Sequence, residues 1–502
     1  MYDQNHLLGC LRSASNGRES QRFARRPALP DRTFGDLFDG AERMAAALVD
    51  SGVEPGDRVA AQVEKSIQAI ELYLGTVMAG AIFLPLNPAY EIDELTYFIG
   101  DATPKVVICD PRKRAQIDAV VSTSRLLTLA IDGAGSLREL ADRQGGFEPV
   151  VRGPDDLAAI LYTSGTTGRS KGAMLSHANL ASNARVLKEH WQFTDKDNLI
   201  HALPIYHTHG LFVATNVALL AGASVEFMPG FEPDLILAAM PRATAMMGVP
   251  TFYTRLLQDP RLDRKLTANM RLFISGSAPM LVDTHQQWEA RTGHRILERY
   301  GMTETGMSTS NPFEGERRIG TVGPPLPGIE ARIMQAGRRV QTGETGMLEV
   351  RGPNVFAGYW QMPEKTAEEL RPDGWFITGD LATEDSQGYV TIVGREKDLI
   401  ITGGLNVYPK EIELAIDTIP GVYESAVIGV PHADFGEGIV AIVVPSTPGL
   451  SPDVVRSALT GQLAKFKLPK QIEVVDALPR NAMGKVQKKA LREMYNGVFS
   501  DE

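Results

Sequence analysis

Residues 157–172 read LAAILYTSGTTGRSKG, an apolar run that ends in a tract of glycines, hydroxyls and cations. The apolar half reads as a buried strand and a helical pattern opens at Ser176, so the polar tract is expected at a strand-to-helix turn. Small residues there let backbone N–H groups approach a ligand's oxygens, and the hydroxyls and Lys171 add donors, which is the chemistry of a phosphate cradle. It is not a Walker A loop, because Lys171 follows Ser170 and precedes Gly172 where that loop needs Gly-Lys-Ser/Thr. Outward from this tract, apolar runs at 57–63, 105–109, 244–249 and 271–274 alternate with amphipathic stretches at 66–79, 176–190 and 281–292. That alternation is the mark of parallel strands joined by crossover helices, a doubly wound α/β fold. Gly/Pro-rich segments between 320 and 358 then punctuate short alternating runs such as 347–351, which predicts a small antiparallel sheet or barrel. Past Gly394 the pattern changes to a helix at 409–419, strands at 426–430 and 439–444, and a helix at 451–465. These make a compact α+β unit, with the boundary expected at 394–398 and the domains at 1–396 and 397–502. Residues 1–30 read as loosely structured.

Composition narrows the function. The chain has 502 residues, enough for several folding units and a large core without crosslinks. Its 51 Lys+Arg against 61 Asp+Glu give a net charge of -10, which offers no attraction to phosphate backbones or anionic lipid. Nucleic acid and membrane are therefore not expected as partners. Only Cys10 and Cys109 are present, with no CxxC pair, which argues against a disulfide scaffold and a cysteine-built zinc site and for the cytoplasm. No apolar run reaches the length of about 18 residues that a membrane span needs, and the N-terminus lacks an apolar signal core.

Six further motifs follow the polar tract: LPIYHTHG (203–210), GSAP (276–279), YGMTE (300–304), TGD (378–380), GREKDLIITGGLNVYPKEIE (394–413) and PRNAMGK (479–485). In this order they make the chain, from about residue 30 to its C-terminus, resemble the adenylate-forming superfamily of acyl- and aryl-CoA synthetases, adenylation domains and luciferases. Through HALPIYHTHGLF and LERYGMTET it is most similar to malonyl-CoA synthetases. The resemblance implies ATP, Mg²⁺ and CoA, and a ligase that forms malonyl-CoA, or methylmalonyl-CoA, through an acyl-adenylate with release of AMP and pyrophosphate. Alternatives are a ligase for another short or aryl acid, an oxidative luciferase-like enzyme, and an adenylating enzyme that loads a carrier protein. The intact Gly403–Gly404 pair speaks against the luciferase-like one.

Roles carry over residue by residue. ATP binding is expected of Thr163, Ser164, Gly165, Thr166, Thr167, Gly168 and Lys171, of Gly276, Ser277, Ala278 and Pro279, and of Glu298, Tyr300, Gly301 and Thr303. Asp380 and Arg395 suit the ribose hydroxyls, as an acceptor and a forked donor. Glu304 matches the magnesium ligand and His207 a catalytic histidine. Lys485 matches the catalytic lysine, chosen over Lys488 and Lys489, which read as a solvated helix face; the match also implies possible control by a lysine acetyltransferase and deacetylase. Lys397 matches the hinge, and Gly403 and Gly404 the path of CoA. A second carboxylate on the substrate calls for a cation, and Arg299 offers a fork for it, unless it pairs with Glu298 at the surface. Thr208, His209, Ser277 and Met307 complete the expected acyl pocket. Gly306 and Ser308 stand where the malonyl-CoA synthetases carry Asn, which should loosen the wall beside Met307.

Overall fold

A computed structural model describes residues 2–121, 123–163, 170–481 and 484–499. Two large sheets carry most of the chain. One has seven strands, in the order Gly358–Tyr359, Lys171–Ser176, Leu157–Thr163, Ile82–Pro85, Arg58–Gln62, Val106–Cys109 and Arg125–Thr128. The other has eight, from Gly306–Ser310 through Leu297–Met302, Leu272–Ser275, Ala245–Gly248, Asn198–His201, Ser224–Phe227 and Arg22–Arg26 to Leu29–Thr33. The eight-stranded sheet is parallel in its middle and antiparallel at both ends, whereas the seven-stranded one is antiparallel only at the Gly358–Tyr359 end and parallel through to Arg125–Thr128. Buried strands such as Val106–Cys109 and Ile82–Pro85 are apolar throughout because helices cover both faces. Helix Ile67–Met78 is buried on every side, which fits its nearly continuous apolar composition.

Three expectations are corrected here. The polar tract does not lead from a strand into a helix. Lys171–Ser176 is itself a strand, paired antiparallel with Leu157–Thr163 through Tyr162↔Gly172 and Thr163↔Lys171. The two strands are therefore antiparallel partners, and helix His177–His190 begins only after the second, capped by Ser176 with Asn179 returning the bond. Residues 2–30 are ordered, because Leu7, Leu8 and Leu11 of helix His6–Ser13 are buried and strand Arg22–Arg26 pairs with Ser224–Phe227. The last long helix is shorter than expected, running over Pro452–Leu459 until Thr460 turns extended.

The Gly/Pro-rich region forms the expected small antiparallel sheet, Arg338–Arg339, Glu330–Gln335, Gly346–Arg351, Phe376–Glu384 and Val390–Arg395. A fourth sheet uses only Leu405–Val407, Ile400–Thr402, Gly436–Pro445, Val422–His432 and Gln471–Val474. The expected boundary at 394–398 covers the end of strand Val390–Arg395 and the turn Glu396–Asp398. The C-terminal unit packs back onto the larger part: a Cβ on Gly484 would lie 3.3 Å from Thr251 Oγ1.

Candidate active site

The hairpin Leu297–Met302 and Gly306–Ser310 organises the site, and its turn carries Thr303 and Glu304. Successive strand residues point to opposite faces. Glu298 accordingly turns toward His285 Nδ1 (3.5 Å) and accepts from Gly320 N–H (3.3 Å), so it does not pair with Arg299. Arg299 is 3% exposed, and among the described residues its Nε and Nη2 have no hydrogen-bond partner. Its guanidinium lies flat on the backbone of Gly276, where a Cβ would come within 2.4 Å of Cζ. Burial draws its pKa down to about 9.

Around this cation stand His207, His209 and Ser277. Burial first, then Lys485 and Arg299, pushes His207 down to about 3; burial and Arg299 push His209 well below the usual range. Both rings are therefore neutral at physiological pH. Ser277 Oγ is 3.4 Å from His209 Nδ1, and Ser277 holds a left-handed φ of 71°, strain of the kind that functional loops store. Ala278 and Pro279 continue that loop. Thr208 Oγ1 is buried without a partner among the described residues, and Met307 is buried as well. The wall near Met307 is not loose. Asn183 Oδ1 accepts from Met307 N–H (3.0 Å), and its Nδ2 donates to Met307 O (2.8 Å). A Cβ on Gly306 (φ 54°) would lie 2.6 Å from that same Oδ1, so Asn183 fills the space the glycine leaves.

A second cluster adjoins the first. Asp380 is buried between Arg395 Nε (2.9 Å) and the Tyr300 hydroxyl (2.5 Å), Asp380 and Arg395 being direct partners across two strands. Glu304 is buried, its carboxyl pushed up by burial, and its Oε1 lies 3.1 Å from the Tyr359 hydroxyl oxygen. Thr303 is half-buried, and Gly301 has the carbonyl of Gly306 where a Cβ would be. Thr163 ends its strand with its hydroxyl 3.4 Å from the carbonyl of Lys171. Ser164, Gly165, Thr166, Thr167 and Gly168 lie outside the described residues.

Lys485 comes from the C-terminal unit into the field of Arg395, Asp380, Arg299 and Glu304. Its side chain is exposed, yet the protein packed around its amine, then Arg395, draws the pKa down to about 8. Lys488, expected on a solvated face, instead pairs with buried Glu413 at 2.6 Å. Lys397 sits in the turn Glu396–Asp398. Gly403 and Gly404 are exposed and outside this cluster. With φ of 57° and 76° they form a tight hairpin turn between Ile400–Thr402 and Leu405–Val407. Sequence reasoning missed Tyr359, Asn183 and Glu369; Tyr359 alone had a local signal, a buried aromatic after the glycine of a short strand.

The AMP-binding enzyme family matches residues 17–360, and its C-terminal domain family matches 411–485. A feruloyl-CoA synthase of Amycolatopsis sp is 37% identical over 470 residues, 92% of this chain and 94% of its own. A malonate–CoA ligase of Arabidopsis thaliana is 35% identical over 475 residues, 87% of this chain and 78% of its own. Among solved structures, ATP-bound MatB from Rhodopseudomonas palustris superposes with a TM-score of 0.96 at 57% identity, covering 99% of this chain and 100% of that one. The chain therefore belongs to the AMP-binding enzymes. It is an ATP-dependent, AMP-forming CoA ligase. No helix among the described residues is long and apolar enough to cross a membrane.

Proposed function

We propose that the chain is a malonate–CoA ligase, with methylmalonate as a second acid. One observation carries this reading: a buried guanidinium, Arg299, with two donor nitrogens unpartnered among the described residues, in a pocket of neutral histidines. A desolvated cation without a partner is costly. A site that keeps one is suited to a substrate that brings an anion, and malonate brings a second carboxylate after its first is activated. Matches to a malonate–CoA ligase and to MatB support the reading. The feruloyl-CoA synthase match raises an aryl acid as the second reading, which leaves Arg299 without a charged partner.

In this scheme malonate's free carboxylate pairs with Arg299 while Thr208, His209, Ser277 and Met307 line the acyl chain. The other carboxylate attacks the α-phosphorus of ATP, an anion meeting a polyanion, so positive charge must stand where negative charge develops. Lys485 supplies it, with His207 beside the reacting carboxylate. Asp380, with Arg395 and Tyr300, takes the ribose hydroxyls; the Gly276–Pro279 loop (276–279) and residues 299–301 wall the adenine; the 163–171 tract and Thr303 take the phosphates. The buried carboxylate of Glu304 is a hard oxygen ligand next to the phosphate site and fits Mg²⁺, which is commonly held by one or two carboxylates together with substrate phosphates. When bound, the ion neutralises phosphate charge. For the second step, domain 397–502 turns about Lys397, withdraws Lys485 and brings Gly403–Gly404 to the CoA arm. Two buried free cysteines suit a reducing cytoplasm.

The test is a carboxylic-acid panel scored by CoA-dependent AMP release. Malonate and methylmalonate should lead it; a panel led by ferulate or another aryl acid overturns the reading. The thiol path has its own test. Gly403→Leu should leave pyrophosphate release intact and slow CoA acylation, while Gly403→Asn, which tolerates the left-handed turn, should do so less. Equal acylation rates in wild type and both folded variants would remove this turn from the CoA path.

A further inference from the structure

Lys171 is not free for a phosphate. Its Nζ lies 3.1 Å from both carboxylate oxygens of Glu369 and 3.1 Å from the Tyr359 hydroxyl oxygen. An ammonium has three hydrogens to donate, and these three contacts take them all. The Tyr359 hydroxyl in turn donates to Glu369 Oε2 at 2.6 Å and lies 3.1 Å from Glu304 Oε1. The fold builds this arrangement on purpose-shaped backbone. Tyr359 sits on the short strand that pairs with Lys171–Ser176, through Tyr359↔Ala173. The chain then folds back through a Tyr359 N–H bond to Thr366 Oγ1 (2.9 Å), so that Glu369, last residue of helix Pro363–Glu369, returns to the lysine. Lys365 meets the same carboxylate at 3.0 Å. Lys171 and Glu369 keep about a fifth of their side-chain surface exposed, 19% and 22%, so the pair is open to competition by an incoming anion.

We infer that Glu369, braced by Tyr359, is a release latch for Lys171: a positioning residue that holds the phosphate-tract lysine and must surrender it to a polyphosphate. The inference rests on the reading of Lys171 as a phosphate ligand. A phosphate oxygen takes an N–H of Lys171 only by displacing Glu369 or Tyr359, so the carboxylate competes with the bound polyanion throughout. The same competition reclaims the lysine from pyrophosphate and speeds its departure. Tyr359 couples the latch to Glu304, because its single hydroxyl hydrogen serves one carboxylate at a time.

The test is calorimetric binding of inorganic pyrophosphate to the full chain, alongside the KM for ATP. Glu369→Gln keeps the shape and removes the competing charge. It should tighten pyrophosphate by about three- to tenfold, the scale of a partly exposed ion pair, and lower the KM for ATP while slowing pyrophosphate release. The gain must vanish in a Lys171→Ala background, since it is exerted through that amine. Lys365→Met frees Glu369 from its second lysine and should shift pyrophosphate affinity the other way, which decides the matter if the glutamine variant folds poorly. Unchanged or weaker pyrophosphate binding in Glu369→Gln, with Lys171→Ala still weakening it, overturns the latch alone. Lys171→Ala without effect overturns the role of Lys171 itself.

Discussion

Lys485→Ala is expected to reduce acyl-adenylate formation by about 10²- to 10³-fold, the usual cost of removing one group aimed at developing transition-state charge, while CoA acylation from supplied acyl-adenylate continues. In the structure the lysine stands in the field of Arg299, Arg395, Asp380 and Glu304. As proposed, its charge serves the step in which a carboxylate meets the α-phosphate, and the second step proceeds after it has left. The two half-reactions are measured separately, as acid-dependent pyrophosphate exchange and as thioester formation. Equal loss of both would place Lys485 in the architecture of the site instead. A pH dependence follows from the same residue. Its pKa is drawn down to about 8, so the ammonium is fully charged below that value and loses its proton as pH rises through it. Adenylation kcat/KM, which reports the free enzyme, should therefore fall above about pH 8. Lys485→Arg, which stays charged in this range, should lose that fall even if its rate is lower.

Arg299→Leu is expected to lower malonate efficiency by about 10²- to 10³-fold, since breaking a desolvated ion pair costs about 3–5 kcal/mol. Acetate and propionate bring no second charge and should lose far less, so the malonate-to-propionate ratio collapses. The alternative, a surface pair with Glu298, predicted only about 0–1 kcal/mol and a similar loss for every acid. It has lost its geometry, because Glu298 faces His285 and Gly320 on the opposite side of the strand. The leucine removes a buried cation whose Nε and Nη2 lack partners among the described residues, so the variant should be no less stable than wild type, and thermal unfolding checks that the loss is one of recognition. A uniform fall for both acids would point to damage at Tyr300 and Asp380 next door, and an unchanged ratio would refute the dicarboxylate pocket.

The sequence by itself determined the local elements and the chemical vocabulary of the site. Alternating apolar runs specify parallel strands such as Val106–Cys109 because a strand buried on both faces must be apolar on both. The motifs place a carboxylate, a forked cation and a lysine in a recognisable order. Local patterning was misleading where a short segment depends on a distant partner. Strand Lys171–Ser176 exists through pairing with Leu157–Thr163, and strand Arg22–Arg26 through an edge that arrives some 200 residues later.

Only the tertiary structure decided who meets whom. That Arg299 Nε and Nη2 have no partner among the described residues, that Tyr300 bonds Asp380 80 residues away, and that Lys171 is held by Glu369 at a separation of 198 are facts of packing. Asn183, on a helix with no motif of its own, closes the wall beside Gly306 because strand register brings Met307 to it. Residue type and spacing set what each side chain can donate or accept. Burial and the convergence of remote strands set which of those capacities is spent within the protein and which is left for a substrate.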